Sequence, residues 1–159
     1  MLDIELQSPF PTEHYGLLWK WMAEYPANNS DDFSPKTYVG FQVDMDLRQE
    51  REDVFLVLYE GKPVGAIGYT PMTPHAGMMH GILFSKSVHG KGVAKQAMQM
   101  FMAKVFASGV AKISASYYEH NKRVGRFLES LGFKVEGLMI NQTIQDSKPI
   151  NMVLAAAFA

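Results

Sequence analysis

The sequence contains no cysteine among its 159 residues. This absence excludes a disulfide framework, a thiol nucleophile, and any zinc or iron–sulfur site with cysteine ligands, and it fits a reducing compartment. Net charge is almost absent as well, because 15 Lys and Arg residues stand against 16 Asp and Glu residues. The chain therefore lacks the positive field with which nucleic-acid and anionic-membrane binders attract their partners. We expect neither partner here.

Long apolar segments are also missing. No run approaches the roughly 18 apolar residues of a membrane-spanning helix, and Asp3 and Glu5 stand where a secretion signal needs basic and then apolar residues. No internal repeat, low-complexity tract or break in composition marks a second domain. We therefore predict one domain over residues 1–159, located in the cytoplasm.

The hydrophobic patterns that are present predict an α/β fold with the element order βααβββαβαββ, a mixed central sheet with helices on both faces. Ser34 and Pro35 are the predicted N-cap and first residue of the second helix. The predicted strands are residues 2–6, 53–59, 63–69, 77–85, 111–118, 133–140 and 149–157. The polar connection before the second helix carries Asp31 and Asp32, which either attract a cationic substrate or are simply solvated.

Gly90 and Gly92 lie at a predicted turn from a strand into an amphipathic helix that begins near Val93. Glycine permits backbone angles that other residues avoid, and the first N–H groups of a helix have no partner within the helix. Such a turn attracts phosphate, although a tight connection without a ligand explains the two glycines equally well. The spacing matches neither a P-loop nor the three-glycine dinucleotide fingerprint.

Two segments together resemble the GCN5-related N-acetyltransferases (GNAT). The first, HGKGVA at residues 89–94, is similar to the family's Q/R-x-x-G-x-G/A loop, with His89 in place of Gln or Arg. The second matches the family's N-x-x-A/S segment, inward helix and Gly-Phe pair through Asn121, Val124, Leu128, Gly132 and Phe133. Glu136 and Gly137, which follow this pair, are most similar to the branch that acetylates ribosomal-protein N-termini.

The resemblance implies that acetyl-coenzyme A is the co-substrate. Its pyrophosphate would lie on the loop, and its pantetheine arm would lie in a cleft between two splayed parallel strands, paired with the strand end before the loop. The implied contact residues are Ile82, Leu83, Phe84, His89, Gly90, Lys91, Gly92, Val93, Ala94 and Asn121. Asn121 is equally well explained as a helix N-cap.

Transfer of the acetyl group needs an uncharged primary amine, from a peptide N-terminus or a small molecule, and a route for its proton. Many relatives place a tyrosine where this chain has Leu128, so the usual proton donor is missing. The candidate catalytic residues are His80, Tyr117, Tyr118 and Glu119. Strand alternation predicts His80 on the same face as Ile82 and Phe84. No pair of histidines has metal-ligand spacing beside a carboxylate, so no metal is expected.

Two other functions remain open on the sequence alone. The chain could be a catalytically silent module that binds acetyl-coenzyme A, or a protein that binds a different phosphate ligand. The departures at His89 and Leu128 favour silence, whereas the intact Gly90, Gly92 and Ala94 favour a working coenzyme site. The sequence leaves the choice between monomer and homodimer undecided.

Overall fold

The computed structural model describes residues 1–159 and contains seven strands and four α-helices. In chain order the elements are β1 (Ile4–Gln7), α1 (Tyr15–Ala23), α2 (Tyr38–Gln49), β2 (Asp53–Tyr59), β3 (Lys62–Pro71), β4 (Ala76–Phe84), α3 (Val93–Ala107), β5 (Lys112–Tyr118), α4 (Lys122–Ser130), β6 (Lys134–Gln145) and β7 (Lys148–Phe158). The predicted order βααβββαβαββ is confirmed. None of the helices combines the length and the apolar character that crossing a bilayer requires.

One sheet contains all seven strands, in the order β1-β2-β3-β4-β5-β7-β6. Every neighbouring pair is antiparallel except β4 and β5. This parallel pair is joined only between Ala76–Met78 and Lys112–Ser114, near the start of each strand. Beyond these residues β4 and β5 separate, which leaves an opening in the middle of the sheet.

The helices cover both faces of the sheet and form two separate cores. The larger core lies beneath α3 and α4, and its members include Phe55, Met79, Phe101, Ile113 and Leu128. The smaller core lies beneath α1 and α2, and its members include Tyr15, Trp21, Phe41, Met45 and Leu56. Each helix buries its apolar stripe, α1 and α2 against one face of the sheet and α3 and α4 against the other.

The start of α2 differs from the prediction. Thr37, and not Ser34, is the N-cap, because its backbone is extended and its hydroxyl accepts a hydrogen bond from the N–H of Gly40 at 3.1 Å. The Ser34 hydroxyl accepts instead from the N–H of Ser30 at 2.8 Å. The predicted cap is therefore used to close a turn in the preceding connection.

Candidate functional site

The turn between β4 and α3 has the backbone that its glycines were predicted to allow. Gly90 and Gly92 have φ angles of 73° and 75°, in the left-handed region that favours glycine. No side chain caps α3, and the N–H groups of both glycines donate to no acceptor in the chain. The turn therefore presents unpaired N–H groups together with the positive end of a helix dipole, as an anion site requires.

The backbone of Phe84 faces the opening between β4 and β5. The next residue, Ser85, donates its N–H to Val64 of β3 at 2.8 Å, while Phe84 itself lies opposite Gly65. Because successive residues direct their backbone groups to opposite edges of a strand, those of Phe84 face away from β3. The Tyr25 hydroxyl donates to the Phe84 carbonyl at 2.8 Å.

His89, at the first position of the loop motif, lies between two side chains from other elements. Its Nε2 contacts the Tyr25 hydroxyl, and its Nδ1 lies 3.1 Å from Nη2 of Arg123 in the first turn of α4. Burial, together with the charges of Arg123 and Lys86, lowers the pKa of His89, so its imidazole is neutral at pH 7. Arg123 therefore adds a permanent positive charge beside the glycine turn, next to Lys86 and to Lys91 within the turn itself.

Residues 25–32, which we call the strap, cross from this turn to the far side of the opening. Asn28 lies in the middle of the strap and joins it to two of the predicted site residues. Its carbonyl accepts from the Tyr118 hydroxyl at 3.2 Å, and its side-chain oxygen accepts from Nδ2 of Asn121 at 2.9 Å. Asn121 also caps α4, because its Oδ1 accepts from the N–H of Val124 at 3.3 Å.

The end of the strap is fastened to the β6–β7 hairpin by two carboxylates, one at the turn and one at the end of β6. Asp31 accepts from the N–H of Ser147 at 2.8 Å, and Asp32 accepts from the Thr143 hydroxyl. The Thr143 hydrogen bond lowers the pKa of Asp32 below its ordinary value. Both carboxylates thus act as hydrogen-bond acceptors within the fold, a role that neither reading of the sequence included.

Residues 13–133, most of the chain, match the model of the acetyltransferase (GNAT) family. The chain belongs to this family. The predicted resemblance is confirmed.

Solved structures of low sequence identity share the fold. An acetyltransferase from Salmonella typhimurium, described as modifying the N-terminal serine of ribosomal protein L7/L12, has a TM-score of 0.83 at 16% identity, with 98% of this chain and 95% of that chain covered. A ribosomal L7/L12 α-N-protein acetyltransferase in complex with coenzyme A has a TM-score of 0.82 at 14% identity (98% and 93% covered). A ribosomal-protein-alanine N-acetyltransferase from Brucella melitensis has a TM-score of 0.78 at 15% identity, with 99% of this chain and 100% of that chain covered. Curated protein sequences gave no significant match.

His80 lies on the face opposite to Ile82 and Phe84, so the predicted shared face is wrong. Gly81, with a φ of 57°, forms a β-bulge that places two residues of β4 opposite one of β3 and shifts the alternation. The His80 ring faces α2, where Nη2 of Arg48 lies 2.9 Å from its Nδ1. Its Nε2 lies 2.8 Å from the Thr70 hydroxyl and 3.1 Å from Glu52 Oε2.

The pKa of His80 is lowered, first by burial and then by the charge of Arg48, while Glu52 opposes this shift. The ring is therefore neutral at pH 7. Since a guanidinium can only donate, Nδ1 of His80 accepts and its proton lies on Nε2. The basic nitrogen is thus already engaged by Arg48, and to act as a base His80 must first release Arg48.

The other three catalytic candidates lie in different surroundings. Tyr117 lies beneath α4, with its hydroxyl so close to Gly125 that a Cβ there would meet it at 2.9 Å. Tyr118 faces the strap, and burial raises its pKa. Glu119 accepts from Nδ2 of Asn151 at 2.8 Å. The fold does not gather the candidates around one point, and their catalytic roles stay predictions.

The predicted coenzyme residues divide in a similar way. Gly90 and Gly92 have free N–H groups, and Ile82 shares its face with Phe84, whereas Lys91 donates its N–H to Val88 at 3.3 Å. Leu83 lies opposite Ala66 and directs its backbone groups to β3. The strand end therefore offers alternate residues, and not all three, to the opening.

Sequence reasoning missed Tyr25 and Arg123. Arg123 could have been found from the sequence. His89 stands where the family has Gln or Arg, and Arg123 lies at the start of the helix one strand later, so it was a candidate for the missing positive charge. Tyr25 left no such signal, since its partners Phe84 and His89 are 59 and 64 residues distant along the chain.

Proposed function

We propose that this chain transfers an acetyl group from acetyl-coenzyme A to a primary amine. The observation that carries the proposal is the combination of unpaired N–H groups at Gly90 and Gly92 with the opening between β4 and β5. An anion and a strand-like arm attached to it fit these two features together. A simple loop connection needs neither feature.

The residues around the opening fit such a ligand. The N–H groups of Gly90, Gly92 and the first turn of α3 would hold the pyrophosphate, with Arg123 as a neighbouring cation. The backbone of Phe84 would pair with an amide of the pantetheine arm, and Asn121 lies at the other side of the opening. The ligand supplies an activated thioester, and the chain supplies orientation and charge.

The chain has no cysteine that could carry the acetyl group as a thioester, and direct transfer to the amine needs no covalent intermediate on the protein. The neutral amine attacks the thioester carbon, the new C–N bond forms and the C–S bond breaks. The amine proton passes to a base and the departing thiolate gains a proton. Leu128 is 2% exposed and has no proton to give, so the donor to the thiolate is another residue or water.

A peptide N-terminus is the first acceptor to test. The match to the solved neighbours described above as ribosomal-protein acetyltransferases spans 93% or more of each neighbour's chain. Peptides beginning with serine and with alanine represent the acceptors in their descriptions. Small primary amines form the second part of the same panel.

Two measurements test the proposal in order. Acetyl-coenzyme A and coenzyme A should each raise the melting temperature, since a ligand that binds only the folded state adds RT ln(1 + [L]/Kd). Release of coenzyme A in the presence of each acceptor should then be followed with a thiol reagent, which the cysteine-free chain does not consume. An unmoved transition with both ligands would contradict the proposal.

A second candidate function is a silent coenzyme-binding module. It is favoured by Leu128 at the usual tyrosine position and by the engagement of both ring nitrogens of His80. A thermal shift without thiol release from any acceptor in the panel would support the silent module over the enzyme.

A further inference from the structure

The strap carries a hydrogen-bonded chain that ends on the strand edge facing the opening. Arg123 donates to Nδ1 of His89, since a guanidinium has no acceptor. The neutral His89 therefore carries its proton on Nε2 and donates to the Tyr25 oxygen, and Tyr25 donates to the Phe84 carbonyl. Each member has one role, so the chain has a single direction.

The last hydrogen bond of this series, from Tyr25, occupies the Phe84 carbonyl, which a ligand in the opening would need as an acceptor. The Phe84 carbonyl faces away from β3, toward the space where β4 and β5 separate. The pantetheine arm carries two amides, and an amide N–H in that space would take this carbonyl as its acceptor. A carbonyl oxygen has two lone pairs, but the Tyr25 hydroxyl lies 2.8 Å from this one, which points away from β3. An arm amide that pairs with Phe84 as a neighbouring strand would therefore compete with the hydroxyl for the same side of the carbonyl.

The contacts of Tyr25 fix the strap at the glycine turn. Its ring lies under the Lys86 ammonium, with Nζ 5.4 Å from the ring centroid, and packs against the His89 ring at 5.8 Å between centroids. The N–H of Asn28 donates to the Tyr25 carbonyl at 3.0 Å. A movement of Tyr25 therefore displaces the part of the strap that contacts Tyr118 and Asn121.

We propose that Tyr25 is a latch that holds the strap against the Phe84 edge of the opening, and that the pantetheine arm releases it. The inference rests on the proposed function, because it takes acetyl-coenzyme A as the ligand. Release of Tyr25 moves the strap away from Tyr118 at the end of β5. Coenzyme binding thus reshapes the side of the opening from which an amine approaches.

The test compares wild type with Tyr25→Phe, which keeps the ring over Lys86 and removes only the hydroxyl. Coenzyme A should bind Tyr25→Phe about two- to tenfold more tightly, which is the effect of one hydrogen bond that no longer competes. The probe 3′-phospho-ADP, which has the phosphates but no arm, should bind both proteins equally. Tyr59→Phe, at the end of β2, is the matched control and should bind both ligands as wild type does.

Equal coenzyme A affinity in wild type and Tyr25→Phe, or weaker binding by the variant, would overturn the latch. An equal change for both ligands would also overturn it, since the hydroxyl would then act through His89 and not through the arm. In wild type, saturating coenzyme A should speed hydrogen exchange at Asn28 and Asn29, and unchanged exchange contradicts the latch. Failure of wild type to bind coenzyme A would instead contradict the proposed function itself.

Discussion

The glycine turn and the strap border the same opening, but their conformations have different origins. The turn depends mainly on its own residues, because Gly90 and Gly92 adopt left-handed angles without a side-chain cap on α3, although the neighbouring His89 contacts Tyr25 and Arg123. The strap depends on distant partners, since Asp31 and Asn28 bind residues more than 90 positions away. A conformation of the first kind is visible in a short motif. A conformation of the second kind depends on contacts that only the folded sheet supplies.

The sharpest test of the locally determined region is Gly92→Asp. A carboxylate at the N-terminus of α3 would occupy the anion site, and like charge beside the pyrophosphate costs several kcal/mol. We expect coenzyme A affinity to fall more than about 100-fold, measured by calorimetry, with the far-ultraviolet circular dichroism retained.

Gly92→Asn is the matched control for this change. Asparagine has nearly the shape of aspartate, tolerates the left-handed region and carries no charge. A Cβ at this position has open space, with Leu2 Cδ1 at 4.0 Å as its nearest neighbour. Equal losses in the two variants would assign the effect to the backbone, and unchanged affinity in Gly92→Asp would remove the turn from the site.

Arg123→Gln tests the point where the two regions meet. The variant removes one cation beside the turn, while Lys86 and Lys91 remain, and it removes the donor to His89, so we expect coenzyme A affinity to fall about tenfold. Binding should also depend less on salt, because exposed charges interact over about 10 Å at 0.1 M ionic strength. Lys20→Gln, an exposed change of the same charge on α1, is the control. A loss of the same size in the control would mean that net charge alone is responsible.

Asp31→Ala tests the strap. The variant leaves the N–H of Ser147 without its acceptor and removes one of the two carboxylates that fasten the strap, while the hydrogen bond from the Thr143 hydroxyl to Asp32 remains. We expect the melting temperature to fall by a few degrees and amide hydrogen exchange to rise at residues 27–32. If Asp31 instead steers a cationic acceptor, the melting temperature stays constant while KM rises at low salt and not at high salt.

The sequence was sufficient for the order of elements, the two faces of the sheet and the glycine turn. Helical and strand periodicity report burial directly, and glycine pairs report unusual backbone angles. It was not sufficient for the start of α2, where Ser34 and Thr37 are both suitable caps and the choice depends on a turn with Ser30. Local capping preference cannot choose between Ser34 and Thr37, because a hydrogen bond elsewhere in the fold engages the Ser34 hydroxyl.

The catalytic candidates show the same limit. Strand alternation placed His80 on the wrong face because a single residue, Gly81, inserts a bulge into β4. One extra residue reverses every later side chain, and a glycine inside a strand suggests such a bulge without fixing its position. The contacts of Tyr25 and of Asp32 link positions far apart in the chain, so no periodic pattern contains them.

The smallest expected effect concerns His80. Its orientation depends both on a local feature, the bulge at Gly81, and on a distant partner, Arg48 of α2. Its pKa is lowered by burial and by Arg48, so the folded state binds its proton less readily than the unfolded state does. The contribution of the neutral His80 ring to the free energy of unfolding is therefore fully present above the ordinary histidine pKa of about 6.5. It is lost as the pH falls from there toward the lower pKa of the folded state. One such group contributes a slope of no more than about 1.4 kcal/mol per pH unit.

Urea unfolding of wild type and His80→Gln between pH 7.5 and pH 5 measures this slope. The free energy of unfolding should fall less steeply with decreasing pH in His80→Gln, whatever its value at pH 7.5. His75→Gln, which removes an exposed imidazole from the β3–β4 connection, is the comparison variant. The same flattening in both variants, or none in His80→Gln, would contradict a neutral His80 held by Arg48. A steeper wild-type slope would show that the contact between α2 and the bulge keeps the ring uncharged in the folded protein, as its hydrogen bond from Arg48 requires.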